Sequence, residues 1–356
     1  MSNQPSMTPP RAQKRKAIKA RLARKQMIKR RMLRTLLCVA TALVLIVLAA
    51  YGTLAGVIKG PSRTASDLLV ISALETSAMK FVPRLFLSSP EIEVVRMRNR
   101  VEDMDEDTDT QLVQVQATDE DEAKDEIPDI EVIDIKGKTF VGKMMIVQDP
   151  SRVTVATCGK FGASGKTLMQ IADQNKAIGA LNGGAFMDVN GQGAGGTPDG
   201  VVVSRGKLLW EKVEDSFNVQ TVIGFDTDDK LVFSNKVAAA RAKSLKLRDA
   251  VSFGPALVHN GEAVKISGVS SGMNPRSAIG QRQDGAVLLL VVDGRKVNSM
   301  GATLADLIDV FLEHGAVNAA NLDGGSSSYL CYEGKYQNVG SSLTGPRGMA
   351  TAFIVK

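Results

Sequence analysis

The hydrophobic pattern separates one long apolar run near the start of the chain from a β-rich region behind it. Residues Thr35–Ile58 form a run of 24 without a charged side chain. At about 1.5 Å per residue, a helix of this length spans the roughly 30 Å hydrocarbon core of a bilayer. Three arginines stand close before the run, and only the sparser Lys59 and Arg63 follow it. The pattern therefore predicts a single-pass helix in the cell membrane, with the N-terminus cytoplasmic and the remainder extracytoplasmic.

A cleaved signal peptide and a buried core helix are the two alternatives for this run. A cleaved signal has a short basic region and an apolar core of about 7–15 residues. Here the basic head is 34 residues long and the apolar run is longer. These features favour an uncleaved anchor.

The net charge of +6 conceals three unlike segments. Residues 1–34 carry 12 basic and no acidic residues, residues 35–131 carry 8 basic and 18 acidic, and residues 132–356 carry 24 and 20. Anionic lipid at the inner leaflet is a simpler partner for the basic tail than a nucleic acid, so no nucleic-acid partner is expected.

Residues 59–131 connect the anchor to the rest of the chain. Within the juxtamembrane stretch 59–101, Ser66–Phe86 has apolar residues at helical spacing and predicts a helix, either near the membrane or packed on the domain. The stretch 102–131 holds 14 acidic residues and one lysine and predicts a solvated linker. Its spacing matches no EF-hand calcium loop.

The region 132–356 predicts an α+β domain with a mixed, mostly antiparallel sheet and a few packed helices. Paired β runs flank short turns at Lys136–Lys138, at Arg205-Gly206 and at Asp226–Asp229. Val251–Val258 predicts one further strand. Thr303–His314 predicts an amphipathic helix that ends at Gly315, with His314 in its last turn.

Two glycine-rich stretches mimic nucleotide-binding loops without meeting their requirements. The first ends in Gly165-Lys166-Thr167, but Lys160 stands where a P-loop needs a glycine. We expect instead that Ser164 caps a helix running to Asn175. The second, Gly191–Gly200, is followed by a β-like run and not by the helix that a dinucleotide fingerprint needs. It predicts a loop that lines a cleft.

Four segments carry the candidate chemistry, and each places polar groups beside a strand. Asn321–Ser328 combines Asp323 with two glycines and three serines, and successive backbone N–H groups in such a turn can hold an anion. A plain hairpin turn is its alternative. Asn182–Phe186 sets an amide before two glycines. In Asn274–Gly280, Arg276 follows a proline and can bind a phosphate through two parallel hydrogen bonds. Asp293-Gly294-Arg295 ends another strand.

Taken together, these segments resemble the phosphodiester glycosidase family. The resemblance rests on the motifs at 182–186, 191–200, 274–280, 293–295 and 321–327, whose order and spacing match over roughly Lys138–Lys356. Family members include an enzyme that removes N-acetylglucosamine from a phosphodiester, and many bacterial members are described as exopolysaccharide-biosynthesis proteins. Ser326 follows two glycines where many members have three.

The resemblance implies hydrolysis of a sugar–phosphate diester at the anomeric carbon, and it suggests a role for each residue. Asp323 would be the nucleophile or general base. Asp293 would position Arg276 or act as a second carboxylate. Arg276 and the backbone of Gly324, Gly325 and Ser326 would hold the phosphate. Asn182 and Asp199 would orient the sugar, and Gly183 and Gly184 would also belong to the substrate-binding site.

Two other functions stay open at this point. The domain could bind an anionic cell-wall polymer without catalysis, or it could hydrolyse another bond of the cell envelope.

Two histidines and three cysteines make a His/Cys metal site improbable. Neither a metal nor another cofactor is expected, although Asp188 and Asp199 could hold a divalent ion. Cys158 and Cys331 could pair outside the cell. The oligomeric state is not predicted.

Overall fold

The structure is a computed structural model, and it describes residues 11–76, 79–102, 107–115, 128–187, 194–212, 221–234, 246–269, 271–342 and 345–356. Most of the acidic stretch 102–131, Asp188 and the first half of the loop 188–200 therefore lie outside the described residues. The chain divides into two compact units, with the boundary between Pro61 and Ser62.

The first unit is a single helix, α1, from Arg11 to Ile58. Its portion Lys19–Ile58 is long and apolar enough to cross a membrane, as judged by length and composition. A signal sequence near an N-terminus passes the same test.

Within the described residues, the second unit has four α-helices and seventeen strands. The helices are α2 Arg63–Glu75, α3 Ser89–Arg98, α4 Leu168–Asn175 and α5 Leu304–Glu313. The first strands are β1 Ile130–Lys136, β2 Val141–Val147, β3 Val153–Thr157, β4 Gly179–Asn182, β5 Gly200–Ser204, β6 Lys207–Lys212, β7 Thr221–Asp226, β8 Leu231–Ser234 and β9 Leu247–Phe253. The remaining strands are β10 Ala256–His259, β11 Glu262–Ala263, β12 Arg276–Arg282, β13 Val287–Val292, β14 Ala316–Leu322, β15 Leu330–Tyr332, β16 Lys335–Tyr336 and β17 Thr351–Val355.

The described strands form three antiparallel sheets. The seven-stranded sheet has the order β1-β2-β13-β12-β14-β10-β11, and the two five-stranded sheets have the orders β16-β15-β4-β17-β3 and β6-β5-β9-β7-β8. Apolar residues from all three sheets meet in one core, which includes Leu181, Ile223 and Leu289. The α+β class with mostly antiparallel sheets and a few packed helices is confirmed.

The helix α5 shows how the hydrophobic pattern is converted into packing. Thr303 caps its N-terminus and shares a reciprocal capping box with Asp306. Its buried face, with Leu307 and Phe311, packs on the outer face of the seven-stranded sheet. His314 is the C-cap, and its Nδ1 lies 2.8 Å from the carbonyl oxygen of Val310. The predicted helix and the helix-end role of His314 are therefore confirmed.

Two local predictions were wrong. The helix α4 begins at Leu168 with Thr167 as its cap, not at Gly165 with Ser164, because Thr167 and Gln170 form the capping box. The run Val251–Val258 is not one strand, since Gly254 and Pro255 separate β9 from β10. Pro255 lacks the N–H that a continuous ladder needs.

The segment 62–99 packs on the β-domain. The carboxylate of Asp67 in α2 accepts hydrogen bonds from Arg98 Nε at 2.7 Å and from Asn99 Nδ2 at 2.8 Å, at the end of α3. Asn99 in turn accepts a hydrogen bond from the N–H of Val269 at 2.8 Å. The helix predicted over Ser66–Phe86 therefore ends at Glu75, and of its two predicted locations the structure shows the one on the domain.

Asp67 should contribute pH-dependent stability. Burial alone would raise the pKa of Asp67, but the hydrogen bonds from Arg98 and Asn99 outweigh burial and hold the pKa below its ordinary value of 3.8. The contribution is therefore complete above this ordinary value and is lost as the pH falls through the lower folded-state value. We expect Asp67→Asn to reduce the free energy of unfolding by about 1–2 kcal/mol at pH 7.

Urea denaturation at pH 7 and near pH 3 checks this expectation. The difference between Asp67→Asn and the unmodified chain should shrink at the lower pH. Asp134→Asn is the control, because the Asp134 side chain is 85% exposed and pairs only with Lys143 at the surface. A difference that stays constant with pH would contradict the assigned role of the ionised carboxylate.

Candidate active site

Strand register brings the main candidate residues together at one edge of the molecule. In the antiparallel pair β12 and β14, Ser277 lies opposite Leu322, so Arg276 at the start of β12 stands beside Asp323, which directly follows β14. The strand β4 of a second sheet ends next to them at Asn182. Two sheets thus supply one site.

Asn182 joins these strands through its side-chain amide. Its Nδ2 donates to the carbonyl oxygen of Asp323 at 2.6 Å, and its Oδ1 accepts from Ser277 Oγ at 2.6 Å and from the N–H of Tyr329 at 3.2 Å. The residue is only 1% exposed. The amide of Asn182 thus has its oxygen and one of its two side-chain N–H groups bonded within the protein. Asn182 therefore positions the backbone of Asp323. Its predicted contact with a sugar stays a prediction.

Gly183 and Gly184 likewise serve internal packing. A Cβ atom on Gly183 would lie 2.6 Å from Thr351 Oγ1, and one on Gly184 would lie 2.7 Å from the carbonyl oxygen of Ser252. Their N–H groups donate to the carbonyl oxygen and to the hydroxyl of Thr351. Both glycines therefore allow the protein's own strands to approach closely, and the Gly183 carbonyl accepts from the N–H of Asp323 at 3.2 Å. Their predicted contact with a substrate stays a prediction.

The turn after Asp323 fits an anion-binding loop in part. Gly325 has φ +64°, a left-handed conformation that favours glycine, and its N–H donates to the carbonyl oxygen of Pro275 at 2.9 Å. No described residue accepts a hydrogen bond from the N–H of Gly324 or of Ser326. Those two donors, in a partly exposed turn, are available to a ligand.

Three arginines surround this turn. Arg276 is buried, with Nε donating to the carbonyl oxygen of Ala302 and Nη2 donating to that of Gly272. Arg295 Nη2 would lie 3.6 Å from a Cβ atom built on Gly325. Arg347 Nη1 donates to Ser326 Oγ at 3.2 Å, and its guanidinium lies 4.7 Å from the ring centre of Phe186.

The pKa of Arg295 shows that the arginines influence one another. It is lowered first because the guanidinium is partly withdrawn from water and second because Arg276 carries a like charge nearby. Two neighbouring guanidinium groups repel each other unless an anion lies between them. The arrangement therefore favours an anionic ligand.

Asp293 and Asp199 occupy different surroundings. Asp293 was expected to position Arg276 or to serve as a second carboxylate, but its oxygens lie 3.1 Å from Asn338 Nδ2 and 3.2 Å from Lys296 Nζ. Among the described residues, the carboxylate that holds Arg276 is that of Glu75, at 2.8 Å. Asp199 is buried, and its N–H donates to the carbonyl oxygen of Ala185.

Sequence reasoning missed Arg295, Arg347 and Glu75 as site residues. Arg295 follows Gly294 in one of the motifs already singled out, and its φ of +58° was a further signal only the backbone could provide. Arg347 lies in a loop between two strands. Glu75 is some two hundred residues away from Arg276 in the chain, so no local pattern could connect them.

The described residues contain no group of three or more His, Cys, Asp and Glu side chains that could hold a metal ion. Cys158 and Cys331 are buried free thiols and are not joined. Burial raises the pKa of Cys331 to about 12, so this thiol remains protonated at neutral pH.

The fold and the candidate site define a class of protein: an antiparallel α+β domain that places Asp323, at the end of one strand, beside Arg276, at the start of its neighbour. The sequence model of the phosphodiester glycosidase family matches residues 175–356. The chain belongs to the phosphodiester glycosidase family.

Two proteins are similar to this chain, one in sequence and one in fold. The SPbeta prophage-derived uncharacterized protein YomE of Bacillus subtilis (strain 168) is 29% identical over 219 residues, which cover 58% of this chain and 33% of YomE. The chain thus spans about a third of the length of this curated relative. The zebrafish N-acetylglucosamine-1-phosphodiester alpha-N-acetylglucosaminidase catalytic domain, auto-inhibited by its pro-peptide, shares the fold with a TM-score of 0.52 at 23% identity, covering 65% of this chain and 84% of that domain.

Replacing Asn182 should remove the hydrogen bond that holds the backbone of Asp323 at the end of β14. In Asn182→Ala, the Tyr329 N–H and the Ser277 hydroxyl lose their acceptor in a buried place. We expect a loss of about 2 kcal/mol in the free energy of unfolding, as measured by urea denaturation. Asn175→Ala is the control, since that amide bonds only within α4, to the carbonyl oxygen of Ile171. Equal losses in the two variants would argue against a special role for Asn182.

Proposed function

We propose that the chain is a membrane-anchored, extracytoplasmic hydrolase that cleaves the bond between a sugar and a phosphodiester in an envelope or exopolysaccharide substrate. The observation that carries the proposal is the position of Asp323, whose backbone is held by Asn182 and Gly183 beside three arginines. Membership of the phosphodiester glycosidase family supports the same reaction.

The reaction breaks the bond between the anomeric carbon and a phosphate oxygen. The oxygen of a water molecule bonds to that carbon, so the products are the free sugar and a phosphate monoester, with the release of one proton. Glycosidases with alcohol leaving groups generally need one carboxylic acid to protonate the departing oxygen. A phosphate leaving group is already a weak base, so charge neutralisation can replace most of that protonation.

In this proposal Asp323 acts as nucleophile or general base. The guanidinium groups of Arg276, Arg295 and Arg347 hold the phosphate, and the N–H groups of Gly324 and Ser326 add two donors. Nη1 of Arg276 donates to no described residue, which leaves two N–H groups of this buried arginine for the ligand. Asp199 contacts the sugar.

The candidate substrate and the location follow from two further observations. The zebrafish enzyme of similar fold carries N-acetylglucosamine-1-phosphodiester in its name, so a diester of this sugar is the first substrate to test. The helix α1 is long and apolar enough to span a membrane, and the arginines before its apolar run favour a cytoplasmic N-terminus.

Asp323→Asn should abolish most of the turnover. The full chain in detergent would be incubated with UDP-N-acetylglucosamine and with an N-acetylglucosamine phosphodiester, and free sugar would be followed by chromatography. We expect at least a ~100-fold lower rate for Asp323→Asn, because a carboxylate that transfers a proton or attacks the substrate contributes at least this much. Asp173→Asn on the exposed face of α4 is the control.

Each outcome of this assay separates one function from another. Wild-type turnover in a folded Asp323→Asn protein would exclude Asp323 as the catalytic carboxylate. Binding of the diester without any release of sugar would favour a polymer-binding module. Release that stops with a chelator would require a metal site.

Arg295→Lys should weaken the grip on the phosphate. Lysine keeps the charge but loses the planar pair of donors. We expect kcat/KM for the diester to fall by about tenfold, in line with the loss of one hydrogen bond to a charged group. Arg282→Lys is the control, because Arg282 pairs with Asp284 in a turn at the other end of β12. An unchanged kcat/KM would place Arg295 outside the substrate site.

A further inference from the structure

Glu75 brings a negative charge directly against the arginines of the candidate site. Its Oε2 accepts hydrogen bonds from Arg276 Nη2 at 2.8 Å and from Asn274 Nδ2 at 2.6 Å. The side chain remains 31% exposed, and no described residue donates to Oε1. Glu75 lies at the end of α2, a hundred residues before the stretch that the family model matches.

The position of Glu75 depends on a close contact between α2 and residues 272–274, which lie just before β12. A Cβ atom on Gly272 would lie 2.3 Å from the Cα atom of Ser72, so only glycine allows this approach. The N–H of Met273 donates to Ser72 Oγ at 3.1 Å. This packing fixes the end of α2, and the hydrogen bonds to Arg276 and Asn274 hold the carboxylate of Glu75.

Two residues beside Glu75, Thr76 and Asn274, also form hydrogen bonds with Arg295. Arg295 Nη2 donates to Thr76 Oγ1 at 3.0 Å and to Asn274 Oδ1 at 3.1 Å. The negative charge of Glu75 opposes the two effects that lower the pKa of Arg295. Glu75 thus acts on both Arg276 and Arg295, and it reduces the net positive charge that a bound phosphate meets.

We propose that Glu75 is a specificity-determining residue that positions Arg276 and makes the site prefer a phosphodiester, with one negative charge, over a phosphate monoester, with two. This inference rests on the proposed function, because it deepens the description of the same site. A monoester loses its second proton with a pKa near 6 and is mostly a dianion above neutral pH. The extra charge of the dianion is repelled by the fixed carboxylate.

The same repulsion would act on the product. Cleavage at the anomeric carbon leaves the phosphate as a monoester, which takes on its second charge inside the site. Glu75 would therefore disfavour the product more than the substrate and promote its release.

Binding of two small anions to the full chain in detergent tests the proposal without requiring turnover. Methyl phosphate and dimethyl phosphate differ by one methyl group, and at pH 8 they carry two charges and one charge. Isothermal titration calorimetry would give Kd for each anion with the unmodified chain and with Glu75→Gln, which keeps an oxygen acceptor for Arg276 and Asn274. Glu93→Gln on the exposed side of α3 is the matched control.

We expect Glu75→Gln to bind methyl phosphate at least about tenfold more tightly, since one unit charge is removed within a few ångströms of the ligand. Binding of dimethyl phosphate should improve by a smaller factor, so the ratio of the two Kd values should change. Glu93→Gln should change neither. Glu75→Asp, which keeps the charge, should preserve the ratio of the unmodified chain and serves as the second variant if Glu75→Gln does not fold.

Several results would overturn the proposal. An equal change for both anions, or no change, would show that the charge does not discriminate between them. A rise in kcat for the diester in Glu75→Gln would contradict the role of Glu75 in product release. Absence of sugar release by the unmodified chain would contradict the proposed function, but the binding comparison would still decide the role of Glu75.

Discussion

The side-chain amide of Asn182 is the interaction on which the site depends. It is buried where the end of β4 meets the start of β12 and the end of β14, and it satisfies a carbonyl, a hydroxyl and an N–H from three different segments. Because a buried donor or acceptor without a partner is costly, this arrangement admits one relative position of the two sheets. The backbone of Asp323 is therefore fixed before any ligand arrives, at a strand end that lies beside the arginines. Preorganisation of this kind is what electrostatic catalysis requires.

Much of the fold could be predicted from local patterns. The strands around β1 and β2, the hairpin of β5 and β6 and the helix α5 were found because alternation, turn residues and helical spacing all lie within a few consecutive residues. The start of α4 was misplaced because Ser164 and Thr167, three positions apart, both suit an N-cap, and only the capping box with Gln170 distinguishes them. The break at Gly254 and Pro255 was missed because the apolar pattern continues through it.

The site was predictable in outline but not in the division of roles. The motifs identified strand ends that the structure brings together, since polar residues and glycines there are conspicuous against apolar strands. They could not show whether the backbone at Gly183 lies close to a ligand or to Thr351, because either close contact requires a residue without a side chain. Nor could they show that Arg276 is held by Glu75 and not by Asp293, because hydrogen bonds between distant segments leave no periodic trace in the sequence. The residue types thus indicated the chemistry of the candidate site, whereas the hydrogen-bond partners of each residue could be assigned only from the three-dimensional structure.

The distribution of these contacts along the chain also governs when the site can form. The contact between Glu75 and Arg276 joins residues 201 positions apart, and the contact between Asn182 and Asp323 joins residues 141 apart. Thr351, which accepts from Gly183 and Gly184, lies in the last strand. Contacts of such long range form slowly, since chain entropy must be lost before they are made. A nascent chain therefore cannot assemble the site until β17 has been synthesised, so the site forms late in folding and all of its segments must come together.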